Sequence, residues 1–259
     1  MMSATHTHQK LSRRHPLQRF DSPSKGFSGA LHVAGLISFY HSFKFLADNP
    51  NIFNESFGWH LQFLTIIGIT LCTACFTCGF VADVTSSSNF FALKNYLALV
   101  AAPIEIVISI LYWGLRAIDD GLVIPPDMPM PPLLYDLGFH LVPAVVLTLD
   151  NLLLSPPWPS VPANPQAPTI MLATSTAIAF AYWYWIELCY SYNGFYPYPI
   201  FGILTTVQRV GLFALSGATM WAVGGALRVA YAYINGFETV EGLEKFKRAR
   251  RMAVEGKWK

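Results

Sequence analysis

Long apolar runs separated by short polar segments occupy the chain from residue 27 to residue 235. A helix rises about 1.5 Å per residue and needs about twenty apolar residues to cross roughly 30 Å of hydrocarbon. Six runs meet this length: Phe27–Ala47, Trp59–Asp83, Asn95–Leu115, Pro131–Leu154, Thr169–Tyr190 and Gln208–Ile234. The pattern therefore predicts an all-α polytopic membrane protein, a bundle of six transmembrane helices. The first run is the weakest of them, because His32, His41 and Lys44 interrupt it.

The composition agrees with this class: 53% of the residues are hydrophobic and 12% are charged, against about 25% charged in a typical soluble domain. A net charge of +2 gives no reason to expect nucleic acid as a partner. Cys72, Cys75 and Cys78 recur at every third residue of one predicted helix, where they cannot pair without distortion. We expect them to pack as small thiols, and we expect no metal ion and no organic cofactor.

The positive charges predict the orientation in the membrane. Six spans put both termini on the same side, and most of the lysines and arginines lie in the two tails and the loop between the second and third spans: Lys10, Arg13, Arg14, Arg19, Lys25, Lys94, Lys245, Lys247, Arg248, Arg250, Arg251, Lys257 and Lys259. The positive-inside rule then places both termini in the cytoplasm. We interpret residues 1–26 as a disordered basic tail and residues 236–259 as a basic amphipathic tail that binds anionic membrane lipids.

Two polar residues lie at similar depths in different spans. Thr65 is about six residues, or ~9 Å, below Trp59, and His140 is about nine residues, or ~13 Å, below Pro131. A histidine that takes the proton of a threonine hydroxyl makes it a nucleophile for an ester. Purely structural roles remain as alternatives. Thr65 would then hydrogen-bond to its own backbone, and His140 would form a hydrogen bond between helices.

Asp136 precedes His140 by one helical turn and lies on the same helix face. A carboxylate there would hold the imidazole in one tautomer, as in a catalytic triad. Alternatively, Asp136 faces water at the membrane interface. Glu105 and Glu187 are further ionisable residues within spans, and each is either an internal hydrogen-bond partner or a catalytic group.

Three patches resemble one known family. They are Trp59 with Phe63-Leu64-Thr65, Asp83 and Ser86-Ser87; Gly138, His140 and Pro143; and Tyr182, Trp185, Gly194 and Tyr198-Pro199. In this order and spacing, over roughly residues 30–235, they resemble the androgen-induced multipass membrane proteins, which include hydrolases of fatty acid esters of hydroxy fatty acids. The resemblance implies a threonine nucleophile at Thr65 and a histidine base at His140. The patch at residues 136–140 reads DLGFH here and NHGMH in the family.

These observations lead to a hypothesis of an intramembrane lipid ester hydrolase in the endomembrane system or the plasma membrane. Its substrate would enter sideways from the bilayer into a cavity lined by apolar and aromatic groups. The alternative is a non-enzymatic lipid-binding or scaffolding protein that keeps the fold. A transporter is a weaker alternative, because the sequence shows no internal repeat and no pair of interrupted helices.

Overall fold

The computed structural model describes residues 15, 17–125, 128–156, 166–236, 248, 251, 252 and 255. In this part of the chain all regular elements are helical. The α-helices are α1 Phe27–Asp48, α2 Leu64–Thr85, α3 Ser88–Ile118, α4 Leu133–His140, α5 Val142–Leu149, α6 Ala167–Asn193, α7 Pro199–Ile203 and α8 Thr206–Asn235. Short 3₁₀ turns occupy Ile52–Glu55, Trp59–Gln62 and Asp120–Leu122, and α5 continues into a π-helical turn, Asp150–Leu154.

Four of the described helices, α2, α3, α6 and α8, are long and apolar enough to cross a membrane. The pair α4 and α5, bent by 44°, passes the same test together and gives a fifth candidate. This confirms the all-helical integral membrane class. Helix α1 is 22 residues long but does not belong to this set, so the sixth span and the cytoplasmic termini stay predictions.

The predicted span Pro131–Leu154 is broken after His140. Pro143 lies at the start of α5, has no N–H to donate to the carbonyl of Phe139, and its ring crowds that carbonyl. The bend at Leu141 follows from this. His140 is thereby the last residue of a short helix instead of an interior residue of a long one.

The main core is formed by α1 to α5, and α6 and α8 pair with each other while α8 also packs on α3. Phe39, Phe76 and Leu147 fill this core. The thiols of Cys72 and Cys75 are completely buried in it and unpaired. They pack as the spacing of the cysteines predicts.

A buried ionic cluster lies at the end of the bundle opposite Thr65, which we call the Lys94 end. Lys94 Nζ donates to both carboxylate oxygens of Asp150, at 2.9 and 2.8 Å. The two ring nitrogens of His32 contact Asp150 Oδ1 at 3.2 Å and Asp83 Oδ2 at 2.6 Å. A doubly protonated ring would donate to both carboxylates, and two cations would then balance two carboxylates. Gly79 leaves the space for the His32 ring, which a Cβ there would strike.

This cluster corrects the placement of Lys94. The sequence puts Lys94 in a loop, as one of the exposed positive charges that set the orientation. In the structure Lys94 lies in the second turn of α3 and its side chain is fully buried. The predicted orientation therefore depends on the positive charges of the two tails.

The segment at residues 17–26, assigned above to the disordered tail, packs against the Lys94 end. Gln18 and Ser22 are buried, and the Ser24 N–H donates to Asp83 Oδ1 at 2.8 Å. The predicted disorder therefore does not extend to these residues. The earlier tail, apart from residue 15, and most of the C-terminal tail lie outside the described residues.

Candidate active site

Thr65 lies in the first turn of α2. The span predicted from Trp59 begins in the structure as a 3₁₀ turn, Trp59–Gln62, and becomes α-helical at Leu64. Thr65 is therefore at the amino end of the helix. The sequence predicts a different position, about two turns inside a helix that begins at Trp59. The Tyr182 hydroxyl fixes this start, because it donates to the Gln62 carbonyl at 2.7 Å and accepts from the Leu64 N–H at 3.0 Å.

The Thr65 hydroxyl does not follow the usual pattern of threonine in a helix. Thr70 and Thr73 in α2 each donate to the carbonyl four residues earlier, at 2.7 Å. For Thr65 that carbonyl belongs to Leu61, which lies outside the α-helix and accepts from Trp185 Nε1 at 2.9 Å. Thr65 Oγ1 instead lies 3.4 Å from the hydroxyl of Tyr198.

Thr65 lines an apolar cavity between α2, α3, α6, α7 and α8. We call it the Thr65 cavity. Its wall is aliphatic and aromatic, and hydroxyl groups supply its polar side chains: Thr65, Tyr112, Tyr182, Tyr198 and Ser216. This chemistry suits an apolar ligand with few polar groups, such as a lipid.

His140 and Asp136 form a second polar group beside the cavity. His140 Nδ1 donates to Asp136 Oδ1 at 2.9 Å and contacts the Asp136 carbonyl at 3.1 Å. Asp136 also accepts from the Tyr112 hydroxyl at 2.6 Å and pairs with Arg116. Asp136 is completely buried, which excludes the water-facing alternative. With Nδ1 donating, the Nε2 of a neutral His140 keeps its lone pair and is the basic atom.

Tyr112 connects the two parts of the site. Its ring lines the Thr65 cavity and stacks on the His140 ring, with centroids 3.4 Å apart and planes within 5° of parallel. Within the described residues, no hydrogen bond joins Thr65 to His140; their side-chain bonds go to Tyr198 and to Asp136. Tyr112 therefore contacts His140 and shares a cavity with Thr65, the two residues predicted as a catalytic pair.

Glu105 and Glu187, the other ionisable residues considered within the spans, each interact with a side chain inside the protein. Glu105 is buried on the α2 side of α3, where Cys72 Sγ is its partner at 3.4 Å. Glu187 accepts from Arg209 Nε at 2.7 Å and from the Tyr196 hydroxyl at 2.9 Å. Tyr196 lies between α6 and α7, and burial together with the Glu187 charge raises its pKa to about 12. No group of three or more His, Cys, Asp or Glu residues in the described ranges is placed to bind a metal ion.

Sequence reasoning missed Tyr198, Tyr112 and Arg116 as members of the site. Tyr198 is in one of the patches that carry the family resemblance, and this was a usable signal. Tyr112 and Arg116 are one turn apart at the end of α3, but nothing in the sequence brings them to Asp136, because the contact depends on how α3 packs on α4.

Comparison with known proteins gives two matches. The family model described as FAR-17a/AIG1-like protein matches residues 27–232. The UPF0641 membrane protein PJ4664.05 of Schizosaccharomyces pombe is 31% identical over 214 residues, which are 82% of this chain and 93% of that protein. No solved structure matches.

Proposed function

Because the chain belongs to the FAR-17a/AIG1-like protein family, we propose that it is an intramembrane threonine hydrolase of lipid esters, with fatty acid esters of hydroxy fatty acids as the substrate class. One observation carries the proposal. The Thr65 hydroxyl lies at a helix start, where the carbonyl four residues earlier is outside the α-helix, and it lines an apolar cavity beside Tyr198. A threonine with only a packing role would bond its own backbone, as Thr70 and Thr73 do.

In this mechanism Thr65 Oγ attacks the ester carbonyl carbon while its proton passes to Nε2 of His140. The C–O bond to the alcohol then breaks, and the imidazolium returns the proton to the departing alkoxide. Water, activated by the same nitrogen, releases the acid from the acyl-threonine. Thr65 and His140 must approach each other when substrate fills the cavity, since catalytic hydrogen bonds in empty sites are often long. Asp136 keeps Nδ1 protonated throughout.

Two features would stabilise the oxyanion. The Tyr198 hydroxyl lies beside Thr65 and would donate to it. The amino end of α2 adds a partial positive charge through its dipole, while the Leu64, Ile66 and Ile67 N–H groups there already have acceptors. Donors in place before the reaction are the most effective way to stabilise such a charge. In this mechanism Thr65 can act as the nucleophile because it lies at the start of α2, where these groups are close to the oxyanion.

A non-enzymatic lipid-binding protein is the second candidate, favoured by one observation: the Tyr112 ring stacks over His140, and His140 does not line the cavity. Both candidates use the same cavity and lipid ligands from the bilayer. They differ in whether Thr65 forms a covalent bond.

Covalent labelling distinguishes the two candidates. We expect a fluorophosphonate probe to modify the protein in native membranes, because Thr65 Oγ displaces fluoride from phosphorus as it would attack an ester. The adduct, located by mass spectrometry, should be on Thr65. Thr73→Ala, which removes a hydroxyl bonded to its own backbone, should label like the parent protein. A probe that leaves the folded parent unmodified would favour the lipid-binding candidate.

We also propose that α1 is the sixth span, that both termini are cytoplasmic, and that the protein resides in the endomembrane system or the plasma membrane with its basic tails on anionic lipids. Glycosylation tags should then be modified in the loop at residues 49–58 and left unmodified at both termini. A tag in the loop at residues 119–132 should also be modified, as a control that does not depend on α1. A modified tag at the amino terminus beside an unmodified tag at the carboxyl terminus would show that α1 does not cross the membrane.

A further inference from the structure

A second apolar cavity lies toward the Lys94 end between α3, α6 and α8. We call it the Met171 cavity. Leu99, Met171 and Leu227 contribute to its apolar wall, and Asn151 and Tyr231 add polar groups. No role is assigned to it by the mechanism above.

The two cavities follow one another along the same three helices. On α3, residues 96–103 line the Met171 cavity and residues 104–115 line the Thr65 cavity. On α6 the corresponding residues are 170–175 and 178–182, and on α8 they are 220–231 and 212–220. The two cavities therefore follow one another along these helices, and we infer that they are two halves of one cleft.

Met220 is the residue that lines both halves. It is buried and packs with Ile104 of α3 at the boundary. A methionine side chain is unbranched, has three rotatable bonds and adapts its shape at small cost. Met220 is therefore suited to separate the halves when the cleft is empty and to move aside for a chain.

We propose that the Met171 cavity receives the far end of a long acyl chain whose ester group lies at Thr65, and that Met220 is the gate that sets the preferred chain length. This inference rests on the proposed function for the position of the ester. The cleft runs along α8 from Leu212 to Tyr231, which is about 28 Å at the helical rise. That length approaches the roughly 30 Å of a bilayer's hydrocarbon, and a narrow apolar cleft of this shape fits an extended acyl chain better than a compact ligand.

The position of the chain end can be measured with photoreactive fatty acids. Octanoic-acid and octadecanoic-acid probes, each with a terminal diazirine, are cross-linked to the protein in lipid nanodiscs and the attached residues are mapped by mass spectrometry. We expect the short probe to label the Thr65 cavity and the long probe to label residues 96–103 or 170–175. A long probe that labels only the Thr65 cavity or the lipid-facing surface would overturn the inference.

Substitution of Met220 tests the gate. Met220→Trp should exclude the long probe from the Met171 cavity and lower hydrolysis of long-chain esters relative to short ones, by about fourfold for each methylene left unburied. Met220→Ala should widen the passage and shift the preference toward longer chains. Leu215→Trp adds the same bulk to an exposed position of α8 and should behave like the parent protein. Unchanged cross-links and chain preference in both Met220 variants would reject the gate.

These readouts separate this inference from the proposed function. If the long probe labels the Met171 cavity and no ester is hydrolysed, the acyl-chain site is supported and the proposed hydrolase activity is rejected. If esters are hydrolysed and the long probe never labels the Met171 cavity, the proposed hydrolase activity is supported and the acyl-chain site is rejected.

Discussion

Thr65→Ala is expected to reduce ester hydrolysis to the uncatalysed background, and His140→Ala to reduce it by about 10²- to 10⁴-fold. The first substitution removes the nucleophile, and the second removes the group that takes its proton. The double variant should be little worse than Thr65→Ala, because residues that act as one unit are strongly non-additive. The measurement is kcat/KM of the purified protein on a fatty acid ester of a hydroxy fatty acid.

Matched controls are available within the bundle. Thr73→Ala removes a hydroxyl that bonds its own backbone in α2, and His41→Ala removes an exposed histidine of α1. Both should keep the activity of the parent protein. If folded Thr65→Ala protein hydrolysed the ester as fast as the parent, the assignment of the nucleophile would be wrong.

Milder substitutions test the supporting groups. Thr65→Ser should keep part of the activity, since it supplies the same hydroxyl. Tyr198→Phe should lower kcat by about 10²-fold, the usual effect of losing one oxyanion donor. Asp136→Asn should cost less than His140→Ala if the carboxylate only orients the ring. A Tyr198→Phe protein with unchanged kcat would remove Tyr198 from the oxyanion site.

The largest effect on stability is expected from Asp150→Asn. The substitution leaves Lys94 and one nitrogen of His32 without their carboxylate in a site closed to solvent. Removing one partner of a buried ion pair costs about 3–5 kcal/mol, and for a chain of this size that lowers Tm by about 6–20 °C. Thermal unfolding in detergent, followed by tryptophan fluorescence, measures the shift.

Two variants make this measurement specific. Lys44→Met breaks the ion pair with Asp48, whose side chains are both more than half exposed, and should change Tm little, because exposed pairs contribute little. The double variant Lys94→Met with Asp150→Leu replaces the buried pair by apolar groups and should recover part of the loss. A Tm for Asp150→Asn equal to that of the parent would show that the cluster is not a source of stability.

Hydrophobic runs predict most of this fold, because a segment that crosses the hydrocarbon must hydrogen-bond its own backbone N–H and C=O groups and is therefore helical. The boundaries depend on local chemistry that a run of apolar residues hides. Pro143 breaks the fourth run after His140, and the left-handed backbone of Gly58 and Trp59 delays the start of α2. A hydrophobicity window averages over both.

The candidate site was predictable in part. The depth argument and the family resemblance both select Thr65 and His140, and the one-turn spacing places Asp136 on the imidazole, as found. The stacking of Tyr112 on His140 depends on the rotation of α3 against α4, which helical spacing within one span does not specify. Lys94 was misplaced for a related reason: its partner Asp150 is 56 residues away, and only that partner makes its burial favourable.

The separation of Lys94 and Asp150 along the chain also has a consequence for how the protein is made. Helix α3 leaves the ribosome with a lysine, Lys94, near its amino end and no counter-charge, and an unpaired charge opposes insertion into the bilayer. The counter-charge arrives only when the end of α5 has been synthesised. We therefore expect insertion of α3 to be completed together with the α4–α5 pair, and truncated chains that end before Asp150 to hold Lys94 at the membrane surface.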